Sequence, residues 1–197
     1  KGIFYGIGMG PGDPEHITLK AVRMMKEVDV IAAPGTDVKE TLAYRIAVQA
    51  VPEIEQKEML PIDMPMTMDK ELLLKAHKSG AETIEKVLAE GKSVGFITLG
   101  DTTVYSTFSY LEKIVKNHGF ETVYISGITS FCAAAASLGI PLTEWQEPLH
   151  VIPAVHQLDD KLALDGSYVL MKSGRQMPKV KEILKASGRK VNMVENC

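Results

Sequence analysis

The chain is poor in several residues that would mark a particular class of protein. It holds two cysteines, Cys132 and Cys197, among 197 residues. Neither has a Cys or His neighbour at metal-ligand spacing, so a zinc site is not expected and no metal is assigned. Such thin thiol usage fits a reduced, cytoplasmic protein with a buried Cys132 and a terminal Cys197. There is no basic excess: 22 Lys and Arg face 25 Asp and Glu, for a net charge of −3. That argues against nucleic acid as a partner. No apolar run approaches the roughly 20 residues that cross a bilayer, so no membrane partner is expected. The first ten residues carry one Lys and soon reach glycines, so no secretory leader is expected there. No internal repeat or low-complexity stretch is present.

What remains is ordinary for a globular chain, with 45% hydrophobic and 24% charged residues. The length fits one large domain or two small ones. Ten methionines are more than usual, and most are expected to fill irregular gaps in a core.

Along the chain, short apolar runs alternate with helical patterns. Strands are expected at Ile3 to Gly8, Val28 to Pro34, Ser93 to Gly100 and Glu121 to Gly127. Helices are expected at Thr18 to Lys26, with Leu19, Val22 and Met25 on its apolar side, and at Glu40 to Ala50. Further helices are expected at Lys70 to Glu90, Tyr105 to Asn117 and Ser130 to Gly139. Strands rich in Val and Ile on both faces, alternating with helices, predict an α/β fold with a mainly parallel sheet covered on both sides. "GIPLTEW" (Gly139 to Trp145) marks a boundary, which gives an N-terminal α/β domain at 1–141 and a smaller C-terminal one at 142–197. The second is expected to hold strands at Leu149 to Val155, Ser167 to Gly174 and Lys190 to Cys197, and a helix at Met177 to Ala186. A strand at the very end would be an uncovered edge. The C-terminal domain is therefore expected to be incomplete.

In such folds, sites form at the C-terminal ends of strands. Three loops fall there. "GIGMGPGDPEHIT" (Gly6 to Thr18) carries glycines that let backbone approach a ligand. It is not a clean dinucleotide fingerprint. Pro11 stands where the third glycine would fall, and Pro11 and Pro14 each remove an amide. The plainer reading is a tight capped turn. "GDTTVYSTFSYL" (Gly100 to Leu111) sets one carboxylate, Asp101, among small hydroxyls. Asp101 could cap the helix that follows, but the clustering of Thr102, Thr103, Tyr105, Ser106 and Thr107 points to a pocket. Hydroxyls and exposed amides suit ribose, amino and carboxylate groups, and one carboxylate suits a cation. "SGITSFCAAAA" (Ser126 to Ala136) offers Thr129 and Ser130 at the start of a helix. Alone it reads as an ordinary cap on an alanine-rich helix. "PIDMPMTMD" (Pro61 to Asp69) is a Pro- and Met-rich loop without helical period. It could cover a flat ring or simply connect.

Taken together these loops resemble the tetrapyrrole methylase family, the class III S-adenosylmethionine-dependent methyltransferases. The matching pieces are "GIGMGPGDPEHITLKA", "VIAAP", "GDTTVYSTFSYL", "GITSFCAAAASLGIPL" and "VLMKSGR", in the family's order and over nearly the whole chain. Thr102 departs from the family's usual Pro and adds an amide and a hydroxyl. Within the family, "TLGDTTVYSTFSYL" and "PMTMDKELL" are similar to enzymes acting at carbon 20 of precorrin-2 or cobalt-factor II in cobalamin biosynthesis. Acceptors of the diphthamide or ribosomal-RNA type are the alternatives on the same fold, and a nucleotide-binding module without chemistry is a third.

The resemblance implies a cleft between two α/β domains, holding S-adenosyl-L-methionine (S-adenosyl-L-homocysteine as product) and a small-molecule tetrapyrrole, in a homodimer. It places Pro11 at the cofactor's border. Gly100, Asp101 and Thr102 would lie on its methionine part and ribose, with Val104 alongside. Thr129 and Ser130 would lie at adenine or its neighbours, and Met171 and Lys172 on the adenine side. The ring's carboxylates would call for cations, for which Lys172, Arg175, His150 and His156 are candidates, each otherwise a solvated surface group. Because the donor is already activated, the protein's work is to orient and desolvate. A proton must leave carbon 20, and Asp101 and Tyr105 are the catalytic candidates by position.

Overall fold

In the computed structural model, residues 1–154, 158 and 162–195 are described. They form two compact units, Lys1–Ser130 and Phe131–Glu195.

The first unit is built on five parallel strands: β1 (Ile3–Gly8), β2 (Val30–Pro34), β3 (Glu58–Ile62), β4 (Val94–Thr98) and β5 (Glu121–Ile125). Their order is β3-β2-β4-β1-β5. Four helices flank them: α1 (Leu19–Glu27), α2 (Leu42–Ala50), α3 (Lys70–Ala89) and α4 (Phe108–Asn117). The two-residue period of a strand decides which helices each side chain meets. Ile31, Ala33 and Ile97 join the cluster that holds Met25, Tyr44 and Ile46 of α1 and α2. Val30, Ala32, Val94 and Phe96 join the cluster that holds Ile84, Leu88, Phe108 and Leu111 of α3 and α4. The sheet is thus apolar on both faces, as a parallel sheet between helix layers must be.

Three of these helices, α1, α2 and α3, start at side-chain caps. The Thr18 hydroxyl accepts from the Ala21 amide at 3.2 Å. Thr41 accepts from Tyr44 at 3.2 Å, and Asp69 accepts from Glu71 at 2.9 Å. Each supplies an acceptor to an amide that the helix itself cannot satisfy.

The second unit contains α5 (Ser130–Leu138) from its second residue onward. It also holds the parallel pair β6 (Leu149–Pro153) and β7 (Ser167–Met171), and α6 (Met177–Ala186). Its core is small: Ala154, Leu158 and Val180, with Ile152, Leu170 and Ile183 against them. The Arg189 guanidinium donates to the carbonyls of Gly166 (3.0 Å) and Leu164 (3.1 Å) and lies over the Tyr168 ring.

Several expectations need correction. β3 was not foreseen. It overlaps the start of the Pro- and Met-rich stretch, and it tolerates Pro61 because it is an edge strand, where a missing amide costs no ladder bond. Leu19 is not on the apolar side of α1: it is 88% exposed at the first helical position. α4 starts at Phe108, not Tyr105, because Tyr105 sits at φ 50, outside the helical region. Cys132 is exposed rather than buried. Methionine is divided: Met9 and Met25 are fully buried, whereas Met66 and Met68 stand in solvent. Residues 190–195 form no strand. Val191 and Met193 are 49% and 59% exposed, so that segment finds no sheet face to bury against.

Candidate active site

Because every strand of the first unit runs the same way, the turns leaving β1, β4 and β5 emerge at one edge of the sheet. They do more than share an edge. Gly10 and Gly100 form an antiparallel bridge, with the Gly100 amide donating to Gly10 at 2.8 Å and the Gly10 amide to Gly100 at 3.2 Å. Gly10 adopts φ 71 and Gly100 φ 67, a region that side chains disfavour. The third turn is drawn in by a side chain: Asp101 Oδ1 accepts from the Gly127 amide at 2.8 Å. A Cβ on Gly127 would lie 2.2 Å from the Gly100 carbonyl oxygen and 2.9 Å from the Gly8 Cα. The backbones of the three turns are therefore in direct contact, at a spacing only glycine permits.

Asp101 is 7% exposed. Its Oδ2 accepts from the Thr103 amide at 2.8 Å and from the Thr103 hydroxyl. Burial pushes its carboxyl up. The Thr103 hydroxyl and the amides of Gly127, Thr103 and Thr102 outweigh that, and the group rests below its ordinary value. It is a buried, ionised carboxylate whose negative charge has no ion-pair partner among the described residues. A permanently cationic ligand group would complement it.

The hydroxyl cluster has an unexpected use. Thr102 is fully buried and donates to the Ile125 carbonyl at 3.3 Å. Ser106, 6% exposed, accepts from the Phe108 amide at 3.2 Å and lies 3.4 Å from the Thr98 hydroxyl. These hydroxyls brace the turn; the cap position of α4 is Thr107, which makes no side-chain cap bond, so Asp101 is not that helix's cap.

The remaining candidates are placed as follows. Pro11, next to Gly10, and Val104, four residues after Gly100, are half-buried, and Tyr105 is 45% exposed. Thr129 and Ser130 end the third turn, with Ser130 the first residue of α5. Met171 closes β7, and Lys172 follows at φ 59, both in the second unit. His150 is engaged there: its Nε2 is 2.9 Å from the Asp165 carbonyl, and its ring stacks on Tyr168 at 4.7 Å. His156 and the side chain of Arg175 lie outside the described residues. Among the described residues no cluster of His, Cys, Asp and Glu is fit to hold a metal ion. None of their helices is long and apolar enough to cross a membrane.

Two polar atoms stand out. Among the described residues, Thr129 Oγ1 and His16 Nδ1 are buried without a hydrogen-bond partner. Thr129 lies on the third turn and His16 on the first. Nothing in the sequence singles His16 out from its loop, because the burial of its Nδ1 depends on the turn geometry.

Three glycine-bearing turns, tied by one buried carboxylate, meet at the carboxyl edge of a parallel sheet, the edge where α/β proteins commonly hold ligands. Comparison with known proteins narrows this. Residues 4–197 match the family of tetrapyrrole (corrin/porphyrin) methylases. The chain is 39% identical over 86% of its length to a probable cobalt-precorrin-2 C(20)-methyltransferase of Methanocaldococcus jannaschii, covering 71% of that protein. It is 32% identical to the cobalt-precorrin-2 C(20)-methyltransferase of Salmonella typhimurium, with 95% of this chain and 80% of that protein covered. The cobalamin biosynthesis protein CobIJ of Mycobacterium tuberculosis is 31% identical over 95% of this chain, which spans 39% of it. Among solved structures, a cobalt precorrin-4 methyltransferase shares the fold at a TM-score of 0.70 and 23% identity, over 94% of this chain and 75% of that one. A uroporphyrin-III C-methyltransferase from Thermus thermophilus, complexed with S-adenosyl homocysteine, shares it at 0.62 and 23%, over 96% and 78%. The chain belongs to the tetrapyrrole methylase family.

Proposed function

We propose that this chain transfers a methyl group from S-adenosyl-L-methionine to carbon 20 of precorrin-2 or its cobalt-loaded counterpart, in cobalamin biosynthesis. The observation that carries the reading is the knot of three turns, Gly10 to Gly100 and Asp101 to Gly127, bordered by two buried polar atoms without partners. Family membership supplies the chemistry and the named relatives supply the acceptor.

The residues fit a sulfonium cofactor. Asp101 provides a fixed negative charge in a site shielded from water, where electrostatic attraction is strong. A Cβ on Gly100 would meet nothing nearer than the Ile128 carbonyl oxygen at 3.9 Å, so a ligand can reach backbone there without a side chain intervening. In this reading Pro11, Gly100, Asp101, Thr102 and Val104 hold the methionine part and ribose, and Thr129 and Ser130 lie by adenine or its neighbours. Met171 and Lys172 close the adenine side. Thr102 spends its hydroxyl on Ile125, so its contact runs through backbone. When bound, the cofactor supplies an activated methyl group. The chain's part is to orient, exclude water and match charge. The lowered pKa of Asp101 makes it a poor proton acceptor and a good partner for a cation. Tyr105, four residues on and held at φ 50, is then the remaining candidate for the proton leaving carbon 20. Lys172, Arg175, His150 and His156 stay candidates for the ring carboxylates. Assembly as a homodimer and a cytoplasmic location belong to the same reading, and light scattering of the purified protein reports the first.

The test is incubation with methyl-labelled S-adenosyl-L-methionine and either the metal-free or the cobalt-loaded ring. One of the two rings is expected to gain a single labelled methyl at carbon 20. Label on neither ring contradicts the assignment.

A further inference from the structure

We infer that His16 is a cofactor-contacting residue, its Nδ1 hydrogen-bonding to the methyl donor bound on the three turns; this rests on the function proposed above. His16 ends the short 3-10 turn Pro14–His16, which Asp13 caps through the Glu15 amide at 2.8 Å. Its amide donates to the Asp13 carbonyl at 3.0 Å, so the backbone is fixed. Its side chain is packed against Gly10: a Cβ added to Gly10 would lie 3.1 Å from the His16 Cβ. Gly10 in turn is one half of the bridge to Gly100. Glycine at position 10 therefore lets the His16 backbone and Cβ pack closely against the turn that carries the bridge.

An imidazole so placed has two nitrogens to satisfy, and Nδ1 is buried without a partner in the chain. Such an atom forfeits its hydration and gains nothing in return. A leucine would fill comparable space without that loss. The chain holds a histidine there, on the first turn, and the other unpartnered buried side-chain polar atom among the described residues, Thr129 Oγ1, belongs to the third turn. Two unmet polar atoms on two turns of one site are best accounted for by a polar molecule that meets both.

The experiment compares wild type, His16→Leu and His16→Asn by calorimetric titration with S-adenosylhomocysteine, with thermal melting of each ligand-free protein. Asn keeps a polar atom near the position of Nδ1; Leu does not. His16→Leu is expected to melt at the wild-type temperature or higher, because an unpaired polar atom has been removed. It is also expected to bind about five- to tenfold more weakly, the worth of one buried hydrogen bond. His16→Asn is expected to recover most of the affinity. In wild type the His16 Nδ1 resonance, followed by nitrogen-15 NMR, is expected to shift on titration. Equal affinity in all three proteins, with an unmoved resonance, overturns the role of His16 and leaves the proposed function standing. Failure of wild type to bind overturns both.

Discussion

At the scale of residues, Asp101 decides the site. One carboxylate joins the second turn to the third through Gly127 and stiffens its own turn through Thr103. Replacing it with Ala leaves the amides of Gly127 and Thr103 and the Thr103 hydroxyl without their acceptor, and about 1–3 kcal/mol of stability should be lost. Urea denaturation measures this. The pH dependence has a definite sign. A carboxylate whose folded pKa is depressed stabilises fully above its unfolded value, here the ordinary 3.8, and loses that contribution as pH falls through the lower folded value. Wild type should therefore lose stability relative to Asp101→Asn only below about pH 4; a difference between them that narrows near neutrality would contradict the assignment. Gly127→Ala is the steric counterpart. With 2.2 Å between the new Cβ and the Gly100 carbonyl oxygen, the turns must separate, so both melting temperature and cofactor affinity should fall.

At the scale of elements, α4 locks the site to the sheet. Phe108 is fully buried; its ring centroid lies 4.9 Å from that of Phe4 and 4.8 Å from that of Tyr124. A Cβ on Gly6 would lie 2.4 Å from its ring, so β1 carries glycine there to admit it. Phe108→Ala should cost about 3–5 kcal/mol and weaken cofactor binding, although Phe108 touches no ligand in this account. The strands and helices of the first unit were legible because buried parallel strands are apolar throughout, and Val30 to Ala33 show that plainly. β3 was not, because "EMLPI" is short, starts with Glu and contains Pro, all of which an edge strand allows. The three turns were readable as glycine-rich strand ends. Their contact was not, because it rests on an isolated bridge and one side-chain bond between residues far apart in sequence. The hydroxyls of Thr102 and Ser106 were read as ligand-facing and turned out to face the chain.

At the scale of the whole molecule, the two units differ in how much they bury. The first has two large apolar clusters, one on each face of its sheet. The second has three buried residues at its centre among those described. Local opening should follow that difference. Amide hydrogen exchange should be slower in β1 and β4 than in β6 and β7, and cofactor should slow exchange most at Gly10, Gly100 and Gly127. Uniform protection across both sheets would contradict this picture. The central claim is that the three turns form one binding site for a methyl donor. It is tested most directly by titrating S-adenosylhomocysteine into wild type and Asp101→Ala in a calorimeter, with NAD and ATP as controls. The account expects saturable binding to wild type, at least tenfold weaker binding to the variant, and no heat from either control. Equal affinity for the variant, or binding of NAD or ATP as tight as that of S-adenosylhomocysteine, would contradict it.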